Sequence, residues 1–231
     1  MPEVQLREAH REEERVGSRA LLGAAVATAL LYLMAVVAIG EPPAAADSGQ
    51  QVLAWFHDHG GAARWSTWAL TLSIPAFAAM FALLRGLLPA PHRDVFLIGG
   101  ITMIAVTSVQ TWTWAGLALH ADRLEPMTAR TVLDVALFWG PVLTGATLTF
   151  MAPVTLLALQ GAAGLPRWIG ILGAVACVEQ AIETVTIFGR SGFTEPGGAM
   201  NLQLGALLVA VWLIAFAVWG GLRGRFRAAR A

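Results

Sequence analysis

The sequence predicts an all-α, polytopic transmembrane helical bundle with about six spans and with both termini in the cytoplasm. More than half of the 231 residues are hydrophobic and only 13% are charged, whereas about a quarter of an average soluble domain is charged. Long uncharged stretches alternate with short polar ones. Because a chain that crosses lipid must satisfy its own backbone hydrogen bonds, each long apolar run is expected to be a helix of about 20 residues.

Six apolar runs have the length of a membrane span. They cover residues 19–39, 65–88, 95–118, 131–158, 168–188 and 201–222, between a charged segment, 1–18, and a basic tail, 223–231. Glycines and prolines that end helices separate the runs. The fourth run is the longest and contains Pro141 and Pro153, so we expect a kink or a tilt there.

The ends of the first run leave a choice between a membrane anchor and a cleaved signal peptide. Arginines precede it and Ala44-Ala45-Ala46 follows, but its apolar core of about 20 residues exceeds the 7–15 of a signal peptide, which favours an anchor. The next segment, 41–64, is the longest predicted outer loop. The residues from Gln50 to His57 have helical spacing and are expected to lie along the membrane interface.

The arginines predict the orientation. With the N-terminus inside, eleven arginines fall on the cytoplasmic side and four, Arg64, Arg123, Arg130 and Arg190, on the outer side. This is a positive-inside bias. All fifteen basic residues are arginine, which suggests a GC-rich bacterial genome and therefore a multi-pass protein of the bacterial plasma membrane.

Two acidic residues in the fifth span are the main candidates for chemistry. Glu179 and Glu183 are four residues apart, so on a helix they share one face, and Gln180 lies beside them. No basic residue lies in the interior of a predicted span. Two carboxylates that close do not both ionise readily in a low dielectric, so one is expected to hold its proton. An intramembrane acid costs about 3 kcal/mol to insert, so both are expected to face the bundle interior or a water-filled cavity.

Other polar and aromatic residues are predicted at similar depth, in the outer half of the bilayer. They are Gln110, Trp112, Trp114, Asp134, Trp139, Asn201 and Gln203. One interpretation is a substrate pocket in which indole rings stabilise a cation. The other is that the polar side chains join helices and that the tryptophans form an aromatic belt.

The predicted outer loops hold a second polar group, formed by His57, Asp58, His59, His120 and Asp122. These side chains suffice chemically for a metal site, but their spacing matches no known metal motif, so metal binding and plain solvent exposure both stay open. The sequence contains no P-loop, no G-x-S-x-G, no H-E-x-x-H and no paired intramembrane histidines for a haem, and we predict no cofactor.

The composition also bears on partners. A formal net charge of zero gives no reason to expect nucleic acid. The lone Cys177 forms no disulfide within the chain and is expected to be a small buried hydrophobe. The expected partners are the lipid bilayer and a lipophilic small molecule, and a homo-oligomer is left open.

Three motifs give the chain a resemblance to a known group. They are Trp55-Phe56-His57-Asp58-His59 before the second span, Leu165-Pro166-Arg167-Trp168-Ile169-Gly170 at the fifth, and Pro196-Gly197-Gly198 before the sixth. In these the chain resembles small bacterial polytopic membrane proteins of unassigned function. The resemblance implies topology rather than chemistry, and the acidic segment of the fifth span departs from the apolar fifth span of that group.

Three functions fit these observations. The first is an intramembrane enzyme in which Glu179 or Glu183 protonates an alkene or epoxide of an isoprenoid-like substrate, as a cyclase or isomerase; small membrane-bound terpene cyclases offer an analogy. The second is a proton-coupled transporter that uses the same acids as a relay, although the apolar inner half and the lack of internal repeats weigh against it. The third is a non-catalytic membrane subunit of a complex.

Overall fold

The computed structural model describes residues 2–223, apart from the side chains of residues 2–11, 13 and 14, and the basic tail from residue 224 onward lies outside this range. All regular structure in this range is helical. The helices are α1 (Pro2–Ile39), α2 (Gly49–Arg85), α3 (His92–His120), α4 (Pro126–Leu137), α5 (Trp139–Leu159), α6 (Arg167–Glu183) and α7 (Ala206–Arg223), with 3-10 turns at Thr184–Phe188 and Gly192–Thr194 and a π-helical turn at Met200–Gly205.

Six stretches are long and apolar enough to cross a membrane, which confirms the predicted helical class and the number of candidate spans. Their bounds are Arg15–Ile39, Gly49–Arg85, His92–His120, Pro126–Leu159, Arg167–Phe188 and Met200–Arg223. Neighbours in the chain pack side by side, in the order α1, α2, α3, α5, α6 and α7, and α7 returns to pack against α1. The bundle is therefore a closed ring of six helices.

Aromatic side chains fill the middle of this ring. Phe150 of α5 lies 5.3 Å from Phe81, 6.2 Å from Phe96 and 6.0 Å from Trp212, measured between ring centroids. Trp212 in turn lies 5.7 Å from Phe216. These side chains are at most 1% exposed, so the interior between them is a packed apolar core.

A second apolar core lies at the end of the bundle that contains the α1–α2 loop. We call this the outer end, after the predicted topology. α2 is roughly 55 Å long at about 1.5 Å per residue, far more than a hydrocarbon core of about 30 Å. Its N-terminal part packs with the end of α3 and with α4 around Phe56, Trp114 and Leu133. The excess length thus builds a small apolar cluster on the outer end.

The start of α2 corrects the prediction of a separate interfacial helix from Gln50 to His57. Ser48 and Gln51 form a reciprocal capping box, in which the Ser48 side chain accepts from the Gln51 backbone N–H and the Gln51 side chain accepts from the Ser48 N–H at 2.7 Å. With its first turn satisfied in this way, the helix begins at Gly49 and runs without a break to Arg85.

The fourth predicted span divides into α4 and α5 at Phe138. Pro141 has no backbone N–H to donate to the carbonyl of Leu137, four residues earlier, and its ring crowds that carbonyl. The helix therefore breaks one turn before the proline, whereas Pro153 lies inside α5. The helix is thus interrupted in the span where the sequence predicts a kink, and the break separates a short outer helix, α4, from α5.

Candidate functional site

The two acids of α6 lie inside the bundle, together with two amide side chains. Glu179 is 9% exposed, Glu183 and Gln180 are each 3% exposed, and Asn201, from the turn that precedes α7, is 1% exposed. An i, i+4 pair on the inward face of α6 is the arrangement that the sequence spacing predicts. We call these four residues, with Thr147 and Thr186, the acid network.

Gln180 joins the two carboxyl groups. Its Nε2 has two hydrogens and donates one to Oε2 of Glu179 at 3.0 Å and the other to Oε2 of Glu183. Its carbonyl oxygen, Oε1, accepts a hydrogen bond from the hydroxyl of Thr147 on α5. Because both N–H groups and the carbonyl oxygen of the amide form hydrogen bonds, the orientation of Gln180 is fixed. A single nitrogen, Nε2 of Gln180, bridges the two carboxyl groups.

Asn201 binds Glu183 from the adjacent last span. Its Nδ2 donates to Oε1 of Glu183 and to Oγ1 of Thr186 at 3.3 Å, and its Oδ1 accepts from the backbone N–H of Gly197 at 2.9 Å. Asn201 is thus also fully used. It ties α6 to the loop that enters the last helix.

The backbone departs from α-helical geometry on both sides of this contact. Directly after Glu183, α6 tightens into the 3-10 turn Thr184–Phe188, which contains the buried Thr186. The last helix opens with the π-helical turn Met200–Gly205, where the N–H of Ala206 donates to the carbonyl of Asn201. Such turns inside helices often occur at functional sites because they re-aim side chains.

Two glycines allow the helices to approach closely enough for these contacts. A Cβ added at Gly205 would lie 2.0 Å from Oε2 of Glu183, and one added at Gly140 would lie 2.7 Å from Cγ of Asn201. Both distances are shorter than real Cβ contacts, so the side chain of Glu183 or of Asn201 would have to shift. Glycine at position 205 is therefore what gives the Glu183 carboxyl group room against the last helix.

One oxygen of the acid network is left over. Oε1 of Glu179 is buried and has no hydrogen-bond partner among the residues that the structure describes. Both oxygens of Glu183, by contrast, accept from amide nitrogens. Within residues 2–223 neither acid forms an ion pair. Oε1 of Glu179 is therefore the carboxyl oxygen with free capacity to exchange a proton or to bind a ligand group.

Several predicted site residues lie elsewhere. Trp112 is 70% exposed on α3, and Trp114 is buried in the outer cluster, where its ring lies 5.6 Å from Phe56. Gln110 is half-buried on α3, which packs mainly against α2 and α5 rather than α6. Gln203 is exposed, although it shares the π-helical turn with Asn201. The structure does not bring the two tryptophans of α3 to the acids.

Two further candidates flank the break between α4 and α5. Trp139 is half-buried and immediately precedes Gly140, which faces Asn201. Asp134 forms an ion pair with Arg130, with 2.6 Å between its Oδ1 and the guanidinium Nη2. Asp134 thus belongs to the outer end of the bundle, above the acid network.

The outer histidines form a loose and exposed group. Nε2 of His57 lies 3.8 Å from Oδ1 of Asp122, and both side chains are at least 70% exposed. The ring of His59 instead stacks on Trp55, with 4.8 Å between centroids. Among the described residues, no three His, Cys, Asp or Glu side chains are grouped closely enough to hold a metal ion.

The remaining members of the site could hardly be predicted from the sequence. A threonine in an apolar helix usually bonds to its own backbone, so the hydroxyls of Thr147 and Thr186 carry no signal of their own. Gly205 had one available signal, since it lies four residues after Asn201 and so on the same helical face, as expected where a small residue makes room for a polar contact.

Comparison with known proteins adds no relative from which a role could be transferred. No protein-family model matches the chain, and no curated protein or solved structure is significantly similar to it. The site must therefore be interpreted from its own geometry.

Proposed function

We propose that the protein is a multi-pass enzyme of a bacterial plasma membrane, with its acid network in the outer half of the bilayer and both termini in the cytoplasm. The six apolar helices and the excess of arginine at the predicted inner end support this placement. Counted from Arg167 at about 1.5 Å per residue, Glu179 and Glu183 lie roughly 18 and 24 Å into a core of about 30 Å.

The reaction we propose is acid–base isomerisation or cyclisation of a lipophilic, isoprenoid-like substrate. The observation that carries this proposal is the pair of buried carboxyl groups without an ion-pair partner in the described range, held one amide nitrogen apart by Gln180. Charged groups in such a setting are costly and rarely lack a function. The two acids belong to the protein, so the chemistry requires no cofactor.

Two carboxyl groups suit this reaction type because its proton balance is zero. One carboxylic acid adds a proton to a carbon–carbon double bond, and a carboxylate removes a proton from another carbon of the resulting cation. Substrate and product then have the same elemental composition. Glu179 is the better candidate for the proton donor because its Oε1 is free, whereas Asn201 and Gln180 fix Glu183.

The positions of the tryptophans change the predicted lining of the pocket. Trp112 and Trp114 take no part in the proposal, because the structure places them away from the acids. Trp139, which directly precedes Gly140 at the contact with Asn201, stays a candidate to stabilise a cation near the network.

The test is conversion of substrate by the purified protein in mild detergent. We expect incubation with a bacterial lipid and isoprenoid extract to deplete one component and to yield an isomer of equal mass. In D2O the product should gain one deuterium, since the donated proton comes from an exchanged carboxyl group. A product that differs in oxidation state, or one that gains no deuterium, would contradict acid–base chemistry.

A proton-coupled carrier is the second candidate, favoured by the backbone of the site. The 3-10 turn after Glu183 and the π-helical turn at Asn201 interrupt two adjacent spans at the acids, as in transporters with broken helices. Against it stands the aromatic core formed by Phe150 and its neighbours. A carrier would leave the extract unchanged in detergent and would show uptake into liposomes that depends on a proton gradient.

A further inference from the structure

A cavity at the outer end of the bundle is separate from the acid network. It has a volume of about 260 Å³ and lies at the break between α4 and α5, against the loop before the last helix. Its lining residues are Ala45, Asp134, Leu137, Phe138, Gly189, Arg190 and Pro196. The volume is slightly below the usual range of small-molecule pockets, about 300–1,000 Å³, and suits one end of a ligand.

The α1–α2 loop forms one wall of the cavity and is held in place from two sides. Arg130 donates to the backbone carbonyls of Ala44 and Asp47 at 2.9 and 3.1 Å, and Glu195 accepts from the N–H of Ala45 at 3.1 Å. Glu195 is 8% exposed. The wall is therefore fixed by hydrogen bonds before any ligand arrives.

The charges of the lining leave one cation available. Asp134 is neutralised by Arg130, whose guanidinium lies 2.6 Å away. Arg190 is exposed and forms no ion pair within residues 2–223. The Glu195 carboxylate faces the α1–α2 loop, through its bond to Ala45, and is not a lining residue. A ligand group that meets Arg190 is therefore expected to be an anion.

The remaining lining is apolar. Leu137, Phe138 and Pro196 offer carbon surface beside the guanidinium of Arg190, and Phe138 is 39% exposed on the outside of the bundle. A purely ionic ligand would gain nothing from this surface, whereas an alkyl chain attached to the anion would be removed from water by it. Arginine binds planar or tetrahedral oxyanions such as carboxylate and phosphate with two parallel hydrogen bonds.

We propose that this cavity is a binding site for the anionic head of a chain-bearing amphiphile, a carboxylate or a phosphate that pairs with Arg190 while its first carbons contact Leu137, Phe138 and Pro196. The site goes beyond the proposed reaction, since its occupancy does not depend on the chemistry of Glu179 and Glu183.

The cavity, although separate from the acid network, is linked to it through the loop before the last helix. Pro196 lines the cavity, and the N–H of the next residue, Gly197, donates to Asn201, which binds Glu183. A Cβ at Gly197 would lie 2.5 Å from Cδ2 of Leu137, another lining residue. The head of an amphiphile bound here would meet Pro196. The next residue, Gly197, begins the series of hydrogen bonds that positions Glu183.

Binding is tested by calorimetric titration of the full chain in a neutral detergent, with octyl phosphate as the probe. Wild type should bind it, and Arg190→Gln should weaken binding by about tenfold or more, as expected for loss of a charge-assisted hydrogen bond. The matched control is Arg123→Gln, which removes an exposed arginine from the α3–α4 turn, outside the cavity, and should leave affinity unchanged.

Two further probes identify the source of the anion. Inorganic phosphate should bind at least about tenfold more weakly than octyl phosphate, since burial of each CH2 contributes about 0.8 kcal/mol. Equal affinity for both would assign the cavity to a free anion and overturn the amphiphile. Equal binding of octyltrimethylammonium, or an unchanged affinity in Arg190→Gln, would overturn the site itself. Loss of this binding leaves the conversion test above unaffected, so the two proposals fail separately.

Discussion

Gly205→Ala adds a single methyl group at the tightest point of the acid network. The new Cβ would lie 2.0 Å from Oε2 and 2.8 Å from Cδ of Glu183, and 2.9 Å from Nε2 of Gln180. Oε2 of Glu183 accepts from Nε2 of Gln180 within α6, and the two side chains are tied through their other oxygens to Asn201 and to Thr147 of α5, so neither can move without loss of a contact. The substitution therefore tests whether the described packing of the network is correct.

The expected cost combines two effects. Forcing a methylene-sized group into a packed interior costs about 1–3 kcal/mol, and a hydrogen bond to a carboxyl group that is broken as Glu183 moves costs about 1.5–3 kcal/mol. We expect the free energy of unfolding to fall by about 2.5–6 kcal/mol. For a chain of this size, that corresponds to a decrease in Tm of about 5–24 °C, on the scaling measured for soluble domains.

Thermal unfolding in mild detergent measures this effect, with Gly145→Ala as the matched control. A Cβ at Gly145 meets nothing within 4 Å, so that variant should be at least as stable as wild type because alanine favours a helix over glycine by about 0.5–1 kcal/mol. In a Glu183→Ala background, Gly205→Ala should cost much less than in wild type, because the two contacts with the carboxyl group are gone and only the 2.9 Å contact with Nε2 of Gln180 is left. Equal melting temperatures for Gly205→Ala and Gly145→Ala would show that Gly205 does not pack against the Glu183 carboxyl group as described.

Three further substitutions have expected outcomes. Asn201→Ala should lower the free energy of unfolding by about 1–3 kcal/mol, since it removes the donor to Oε1 of Glu183, whereas Gln203→Ala in the same turn should change it by less than about 0.5 kcal/mol; equal effects in chemical denaturation would contradict the network. Phe150→Ala should cost about 3–5 kcal/mol by opening a cavity in the aromatic core, while Phe188→Ala, which truncates a side chain that is 82% exposed, should cost little by the same measurement. Arg130→Gln should release the α1–α2 loop, because it removes the hydrogen bonds to the carbonyls of Ala44 and Asp47. We expect an added protease to cleave that loop faster than in wild type, at unchanged Tm. A cleavage rate equal to wild type would show that Arg130 does not hold the loop.

The helices and the acid pair could be predicted from the sequence because both follow from local rules. A run of about 20 apolar residues has few alternatives to a helix in lipid, and an i, i+4 spacing places Glu179 and Glu183 on one face whatever surrounds them. The break at Phe138 was also partly accessible. Pro141 indicated a kink, but only the absent hydrogen bond to Leu137 gives its position.

The tertiary contacts of the site were not accessible in this way. Trp112 and Trp114 are two residues apart near Gln110 in the sequence, yet the rotation of α3 places Trp112 on the outside and Trp114 in the outer cluster. Which helix faces α6 depends on the ring order of the bundle, which hydropathy does not encode. For Gly205 the spacing from Asn201 indicates a small residue at a polar contact, but its partner, Glu183, follows only from the ring order.

The N-terminal part of α2 could not be predicted from the sequence either, because it also depends on tertiary packing. Its first turns resemble a loop in composition, since they contain two adjacent glycines, Gly60 and Gly61, and the polar run His57-Asp58-His59. Packing against α3 and α4 around Phe56 keeps them helical. Tertiary burial thus overrides a weak local preference, as is usual for helices whose stability comes from an apolar face.

The central claim, that Glu179 and Glu183 carry the function, is tested most directly by one comparison. Wild type and the Glu179→Gln/Glu183→Gln variant are purified in mild detergent, and their melting temperatures are compared to establish that both are folded. Each is then incubated with the same bacterial lipid and isoprenoid extract. The lipophilic molecules that each binds or converts are identified by mass spectrometry. We expect a product or a bound ligand with wild type and none with the double variant, while Gln203→Ala should behave like wild type. Identical profiles from the two equally folded proteins would contradict it and would leave the two carboxyl groups with a structural role.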